Sequence, residues 1–114
     1  MKITITLITL NSEKTLKPVL EAVSWADEIV LVDSGSMDGT LEIARQFKAK
    51  IIYRAFDGYG SQKNFATDQA SNDWILSLDD DEILTSELQQ EIQNLDFQNT
   101  ECQGFKIPRS LIFF

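Results

Sequence analysis

Four consecutive acidic residues stand in the middle of the chain, directly after a short apolar segment. The apolar segment is Trp74–Leu78, and the acids are Asp79, Asp80, Asp81 and Glu82. This order is typical of a buried strand that delivers carboxylates to the edge of a sheet. Four neighbouring like charges repel one another, so a cation that neutralises them would stabilise the segment.

The acidic segment predicts a site for a hard divalent metal ion. Mg²⁺ or Mn²⁺ is held by one or two carboxylates, while substrate phosphates fill further positions. Side chains alternate along an extended segment, so Asp79 and Asp81 share a face and match the pattern Asp-x-Asp. We expect the ion to bind chiefly through Asp81, with Asp79 supporting the ion or contacting a ribose. The alternative is an acidic lead-in to the next helix, where carboxylates favour the positive end of the helix dipole.

A second polar segment, residues 33–40, follows another apolar run and contains Asp33, Gly35, Asp38 and Gly39. A carboxylate at a strand end can accept hydrogen bonds from a base N–H or from ribose hydroxyls. The alternative is a tight turn followed by a helix that Asp38 caps, which leaves Asp33 unexplained because it precedes the turn. The dinucleotide pattern Gly-x-Gly-x-x-Gly is absent.

Lys63 is the third candidate, because it lies at the predicted start of a helix. A lysine there is unfavourable to the helix dipole. Neutralising a diphosphate would explain its presence. An ion pair with a nearby acid, or simple solvation, is the alternative.

Composition excludes several classes of function. The net charge of −8 over 114 residues argues against nucleic acid as a partner and against binding to anionic lipid by charge alone. The sequence has no histidine, which excludes zinc sites that need histidine and every histidine-based catalytic triad. The single cysteine, Cys102, cannot form an internal disulfide and suits a reducing compartment, so we expect a cytoplasmic location.

Apolar segments of strand length alternate with segments of helical periodicity along the chain. This alternation predicts an α/β fold, a mostly parallel sheet with helices on both faces, whose ligands bind at the carboxyl ends of the strands. Pro18 is expected in the first turn of the first helix. The predicted strands cover residues 1–10, 28–32, 50–53, 74–78, 104–107 and 111–114, and the predicted helices follow the first four strands, the third spanning 61–70. Because the sequence ends in apolar residues, we expect a truncated domain.

Taken together, these segments resemble the N-terminal half of a family 2 glycosyltransferase, which has the GT-A, Rossmann-like fold. The residues of these segments are most similar to those of bacterial enzymes that build lipopolysaccharide cores and related cell-envelope glycans. The resemblance runs from about Ile3 to Leu95. Its matching stretches are Thr9-Leu10-Asn11-Ser12-Glu13, Val32-Asp33-Ser34-Gly35-Ser36 with Asp38-Gly39-Thr40, Gln62-Lys63-Asn64, and Trp74 through Glu82.

The resemblance implies a nucleotide-sugar site with a divalent metal ion. Thr9, Asn11 and Glu13 would surround the base and ribose, and Asp33 would contact the uracil-like edge. Lys63 would lie near the base or the phosphates. The remaining ribose and metal–diphosphate contacts would come from the acidic segment, with the nucleotide sugar bound by Asp79 and Asp80 and the metal by Asp81 and Asp79.

The resemblance also implies the reaction. A sugar would pass from a nucleotide-diphosphate donor, a UDP-sugar, to a saccharide or lipid-linked acceptor with inversion at the anomeric carbon. The family's catalytic base lies well beyond the Asp-x-Asp, and no acid follows Glu101, so the catalytic residue is left unassigned. Residues 1–114 are therefore expected to be the donor-binding portion of a single domain, without its acceptor-binding portion. The full protein is expected to associate peripherally with the inner face of the plasma membrane.

Two alternatives belong to other classes of function. One is a nucleotide-binding module, which would bind the donor but would not transfer its sugar. The other is a sugar nucleotidyltransferase, which normally carries a glycine-rich loop with Arg or Lys after its first strand. Asn11-Ser12-Glu13 does not resemble such a loop.

Overall fold

The described residues form a five-stranded sheet with helices between its parallel strands. The computed structural model describes residues 2–72, 74–93 and 112–113. The strands are β1 (Ile3–Thr9), β2 (Glu28–Asp33), β3 (Lys50–Tyr53), β4 (Trp74–Leu78) and β5 (Ile112–Phe113). The helices are α1 (Glu13–Ala22), α2 (Thr40–Gln46), α3 (Tyr59–Asp68) and α4 (Ser86–Gln93). The predicted strand at 104–107 lies outside the described residues.

Strand order explains why helices cover both faces. The order is β3-β2-β1-β4-β5, with the first four strands parallel and β5 antiparallel to β4. The chain moves from β1 to β3 in one direction and then returns past β1 to place β4 on its other side. Crossovers between parallel strands are right-handed, so reversing direction moves the connecting helix to the opposite face. The predicted α/β fold is confirmed.

The larger part of the core lies on the face covered by α1, α2 and α4. It joins every second residue of the strands, such as Ile5 and Leu31, to Leu16 and Leu20 of α1 and to Ile92 of α4. Each fully buried side chain of this size contributes about 1.5–3 kcal/mol. This burial fixes β1 at the centre of the sheet, and with it the position of the loop that follows.

The opposite face carries a smaller cluster under α3. Val30 and Val32 of β2 pack there against Ala66, with Ile8 and Phe65 at its border. Residues 3–6 of β1 alternate isoleucine with threonine because the two faces of the strand meet these two unequal layers. Throughout the described ranges, no helix is long and apolar enough to cross a membrane.

Pro18 is not in the first turn, contrary to the expectation. It is the sixth residue of α1, where its missing N–H leaves the carbonyl of Lys14 without its helical partner. The helix forms nevertheless, since it buries Leu16, Val19 and Leu20 completely. This packing offsets the local cost of about 3 kcal/mol.

Candidate functional site

A cleft of ≈ 620 Å³ opens at the carboxyl edge of the sheet, beside the ends of β1 and β4. Strand order reverses between these two strands, and open α/β sheets bind ligands at such a point. The cleft therefore brings together polar segments that are far apart in the sequence. Its lining comprises Ile8, Thr9, Leu10, Ser34, Phe56, Tyr59, Lys63, Asp79, Asp80 and Asp81.

Asp33, the last residue of β2, is the centre of a buried hydrogen-bond network. The parallel register places Thr9 opposite it, and the Thr9 hydroxyl donates to Asp33 Oδ1 over 2.7 Å. The Ser36 hydroxyl donates to the same oxygen over 2.5 Å. The backbone N–H groups of Gly35 and Ser36 donate to Oδ2 over 2.9 and 2.7 Å. Burial alone would raise the pKa of Asp33, but these hydrogen bonds outweigh it and leave the pKa below its ordinary value.

The loop after β1 is fastened to the loop after β2. Asn11 has a positive φ of 52°, a conformation that asparagine tolerates better than most residues. This turn lets the Asn11 N–H donate to Ser36 Oγ over 2.8 Å, while the Met37 N–H donates to Asn11 Oδ1 over 2.8 Å. The Ser12 N–H donates to Thr40 Oγ1 over 2.8 Å. The two loops therefore form one rigid unit.

Glu13 opens α1 and lies against the second loop. Its N–H donates to Asp38 Oδ2 over 3.1 Å. The hydroxyl of Thr40 is the main reason that the pKa of Asp38 lies below its ordinary value, with the N–H groups of Thr40 and Glu13 adding to it. The Glu13 carboxylate reaches over Gly39, where a Cβ would lie 2.4 Å from Glu13 Oε1. Its predicted contact with the base or ribose stays a prediction, as do those of Thr9, Asn11 and Asp33.

The acidic segment forms a turn between β4 and α4. The Glu82 N–H donates to the carbonyl of Asp79 over 3.1 Å, and Glu82 Oε1 accepts from the Asp79 N–H over 3.2 Å. α4 begins only at Ser86, and Thr85 Oγ1 accepts from the Leu88 N–H at its start. The helix is thus capped by Thr85. The acids lie outside its first turn, which disfavours the alternative of a helix lead-in.

The three aspartates of this turn differ in their partners. Asp79 is exposed, and its Oδ1 lies 3.4 Å from Lys63 Nζ. Asp80 accepts a short hydrogen bond from the Ser12 hydroxyl. Asp81 is exposed and makes no side-chain hydrogen bond or ion pair with any residue that the structure describes. Asp81 is therefore the carboxylate most available to a ligand.

Lys63 reaches the acidic turn from α3. The helix begins two residues earlier than predicted, at Tyr59, so Lys63 lies in its second turn and not at its start. Its ion pair with Asp79 is solvent-exposed, and such pairs contribute about 0–1 kcal/mol. A ligand phosphate can therefore replace Asp79 as the partner of Lys63 at little cost.

The buried amide of Gln62, for which the sequence analysis predicted no role, holds α3 in position. Gln62 is 0% exposed, and its Nε2 donates to Ser34 Oγ over 2.9 Å and to the Arg54 carbonyl over 3.1 Å. Its Oε1 accepts from Arg54 Nη1 over 2.8 Å. The Arg54 guanidinium also stacks 5.1 Å from the Phe65 ring centre. One feature of the sequence indicates that Gln62 is buried: it stands four residues before Ala66, which is buried on the same helix face.

The donor set fits a divalent ion that takes only part of its ligands from the protein. Among the described residues, no three or more acidic, cysteine or histidine side chains are grouped closely enough to hold a metal ion by themselves. Mg²⁺ and Mn²⁺ keep waters and bind through one or two carboxylates together with substrate phosphates. The exposed carboxylates of Asp79 and Asp81 can supply those one or two ligands.

Two solved structures share this fold over most of the chain. Staphylococcus aureus TarS (residues 1–349), crystallised in complex with UDP-GlcNAc, is 27% identical with a TM-score of 0.66, covering 82% of this chain and 30% of that one. Glucosyl-3-phosphoglycerate synthase from Mycobacterium tuberculosis, crystallised with Mn²⁺, UDP and glucosyl-3-phosphoglycerate, is 25% identical with a TM-score of 0.61. That match covers 69% of this chain and 33% of the synthase.

Proteins similar in sequence to this chain are also glycosyltransferases. An uncharacterised glycosyltransferase of Rickettsia typhi is 41% identical over 93 residues, which are 81% of this chain and 32% of the relative. The lipopolysaccharide core biosynthesis glycosyltransferase LpsC of Rhizobium meliloti is 33% identical over 108 residues, 90% of this chain and 40% of LpsC. The chain spans about a third of the length of the first of these relatives. The model of the family described as glycosyl transferase family 2 matches residues 4–109. As its residues led us to expect, this chain belongs to glycosyltransferase family 2.

Proposed function

We propose that the chain is the donor-binding portion of a metal-dependent, inverting glycosyltransferase. The donor is a nucleotide-diphosphate sugar carrying UDP, and the acceptor is a saccharide or a lipid-linked saccharide. One observation carries the proposal: Lys63 and the three aspartates 79–81 line a single cleft at the end of β1. A cation beside several carboxylates is the arrangement that a metal-bound diphosphate requires.

The relatives support the nucleotide and the metal in this proposal. TarS was crystallised with UDP-GlcNAc, and the mycobacterial synthase with Mn²⁺ and UDP. The two matches cover 82% and 69% of this chain. A divalent ion, Mg²⁺ or Mn²⁺, supplies Lewis-acid stabilisation of the diphosphate leaving group when it is bound.

Each polar residue of the cleft then has a defined task. Asp81 and Asp79 hold the metal ion, while Asp79 and Asp80 also face the nucleotide sugar. Lys63 exchanges Asp79 for a phosphate oxygen, which adds positive charge where the leaving group becomes more negative. Gln62 fixes α3, which carries Lys63, and the pairing of β4 with β1 positions the acidic segment at the same edge of the sheet.

The locked network around Asp33 constrains how a base can bind. A carboxylate has about four acceptor sites, and Asp33 already accepts four hydrogen bonds. A uracil N–H that contacts Asp33 must therefore replace one of the present donors. The hydroxyls of Thr9 and Ser36 are the donors that can rotate away, whereas the two N–H groups are fixed by the backbone. Thr9, Asn11 and Glu13 complete the proposed surroundings of base and ribose.

The cellular setting belongs to the same proposal. The relative LpsC supports a role in lipopolysaccharide or other cell-envelope glycan synthesis. A lipid-linked acceptor would bring the full protein to the inner face of the plasma membrane, and the single cysteine fits the reducing cytoplasm. The catalytic base is unassigned, because all three aspartates of the cleft have metal or nucleotide tasks in this proposal.

The proposal is tested by calorimetric titration of UDP into the chain with and without Mn²⁺. We expect binding that depends on Mn²⁺ and falls at least 100-fold in Asp81→Asn. Asp68→Asn, which changes an exposed acid at the end of α3, is the matched control and should bind like the unchanged chain. Metal-independent binding, or equal affinity of the two variants, would contradict the proposal. Sugar release from UDP-sugar by the full-length protein separates transfer from binding alone.

A further inference from the structure

Two exposed aromatic side chains, which the proposed function leaves without a task, line the cleft together with its charged residues. Phe56 and Tyr59 are 50% and 71% exposed, and both contribute to the cleft wall. Their ring centres are 5.0 Å apart at an interplanar angle of 75°, an edge-to-face contact. Large apolar side chains grouped at the rim of a cleft indicate a binding surface.

The backbone between the two rings is specialised. Gly58 has φ 105° and ψ 151°, a conformation that is essentially restricted to glycine. A Cβ at Gly58 would meet nothing within 4 Å, so the requirement comes from the backbone and not from crowding. This bend starts α3 at Tyr59 and lets the ring of Tyr59 meet that of Phe56. The contact between the two rings therefore depends on the local backbone conformation at Gly58.

The lining of the cleft includes both apolar and charged side chains. Leu10, Phe56 and Tyr59 supply exposed apolar surface, whereas Lys63 and the aspartates 79–81 supply the charges. A nucleoside diphosphate combines the same two chemistries, with a flat base at one end and the phosphates at the other. In an edge-to-face pair, the ring that contributes its edge keeps both faces open for stacking.

We propose that the Phe56–Tyr59 pair is the stacking platform for the nucleobase of the donor. This inference rests on the proposed function, because it places the diphosphate at Lys63 and the acidic turn. Every base has a π-face, so stacking on an aromatic ring contributes affinity without depending on base edges. Selectivity for uracil must then come from edge contacts near Asp33, while the pair supplies affinity.

The test compares three leucine variants of exposed aromatic residues. Phe56→Leu and Tyr59→Leu remove cleft rings, whereas Tyr53→Leu removes a ring that is 69% exposed outside the cleft lining. With Mn²⁺ present, we expect the affinity for UDP to fall about 5- to 100-fold in the two cleft variants and to stay unchanged in Tyr53→Leu. Tyr59→Phe, which keeps the ring, should retain the affinity.

Pyrophosphate is the second ligand of the test, because it has phosphates and no base. Its Mn²⁺-dependent affinity should be equal in all of these variants. Proton NMR of UDP with Mg²⁺ gives an independent readout: stacking moves the uracil H5 and H6 signals upfield, and the shift should shrink in Tyr59→Leu. Equal loss for pyrophosphate and UDP would overturn the inference, as would unchanged UDP affinity in both cleft variants.

Failure of the inference is distinguishable from failure of the proposed function. If the unchanged chain binds UDP with Mn²⁺ and the cleft variants bind it equally well, only the stacking platform is wrong. If a UDP-sugar loses affinity in the variants while UDP does not, the pair contacts the sugar and the inference is overturned. If the folded, unchanged chain binds neither UDP nor pyrophosphate, both the function and the inference fail.

Discussion

Two polar regions lie side by side at the carboxyl edge of the sheet. In one region the carboxylate is buried and fully hydrogen-bonded, whereas in the other the carboxylates are more exposed and have few partners. We call residues 10–12 and 33–39 the locked loops and residues 79–82 the acidic turn. In the locked loops, Asp33 is 2% exposed and its carboxylate accepts four hydrogen bonds. In the acidic turn, Asp79 has one exposed ion pair, and Asp81 has no side-chain partner among the described residues.

This difference distinguishes polar groups that stabilise the fold from polar groups that are available to a ligand. Hydrogen bonds within the locked loops are formed when the chain folds, so they stabilise the fold and leave little binding capacity unused. The acidic turn keeps mutual repulsion that its own chain relieves only in part, through the exposed pair of Asp79 with Lys63. A cation or a metal-bound ligand gains that free energy on binding. The two regions therefore predict opposite outcomes for substitutions of aspartate at the same edge of the sheet.

The largest expected effect is on stability, in the locked loops. Asp33→Ala should lower the free energy of unfolding by about 3 kcal/mol, because four donors lose a buried charged acceptor. Asp81→Ala should change it by no more than about 0.5 kcal/mol, as for most exposed sites. Urea unfolding of both variants measures the difference. Comparable losses in the two variants would break the comparison.

The next effect is on ligand affinity, at the boundary of the acidic turn. Lys63→Met should weaken Mn²⁺-dependent UDP binding about 10-fold, since one charge-assisted contact to a phosphate is lost. Stability should hardly change, because the exposed pair with Asp79 contributes little. Calorimetry gives the affinity, and Lys17→Met on exposed α1 surface is the control. A stability loss without an affinity loss would make Lys63 a structural residue.

A smaller effect concerns a hydrogen bond that joins the two regions. The Ser12 hydroxyl donates to Asp80, so Ser12→Ala and Asp80→Asn should be coupled in stability by about 1 kcal/mol. A double-mutant cycle from urea unfolding measures this coupling. Additive effects would mean that the locked loops and the acidic turn are energetically independent.

The last prediction concerns how the stability of the fold depends on pH, which becomes visible only in acid. Hydrogen bonds hold the pKa values of Asp33 and Asp38 below their ordinary values despite the opposing effect of burial, with the Thr40 hydroxyl the largest contributor at Asp38. Ionised carboxylates therefore stabilise the fold above about pH 4, and this stability is lost as the pH falls through the folded pKa values. Thermal unfolding from pH 7 to pH 3 should show a shallower pH dependence in Asp33→Asn. An unchanged pH dependence would exclude Asp33 as the source.

The elements of this fold were predictable from local patterns, whereas the contacts of the site were not. Strand β4 and the acids after it followed from a continuous apolar run that ends in charge. By contrast, Thr9 meets Asp33 only through the parallel register of β1 and β2, and periodicity does not give register. The Ser12–Asp80 contact joins residues 68 positions apart, which no local pattern reveals.

Two errors in the helices have the same physical origin. Pro18 was expected at a helix start because of its own geometry, yet the packing of Leu16, Val19 and Leu20 decided where α1 lies. α3 was expected to begin at Ser61, but the bend at Gly58 starts it at Tyr59. In both places a neighbouring residue outweighed the local preference.

The reversal of strand order also governs the sequence of events in folding. β1 pairs with β2 about 24 positions away, whereas its other edge waits for β4, about 70 positions away. Closing the longer loop costs more chain entropy, and during synthesis β4 emerges after β2 and β3. Until then the β4-facing edge of β1 offers unpaired backbone groups to other chains. The cleft therefore forms only after β4 has paired with β1, and until then the edge of β1 is a place where chains can aggregate.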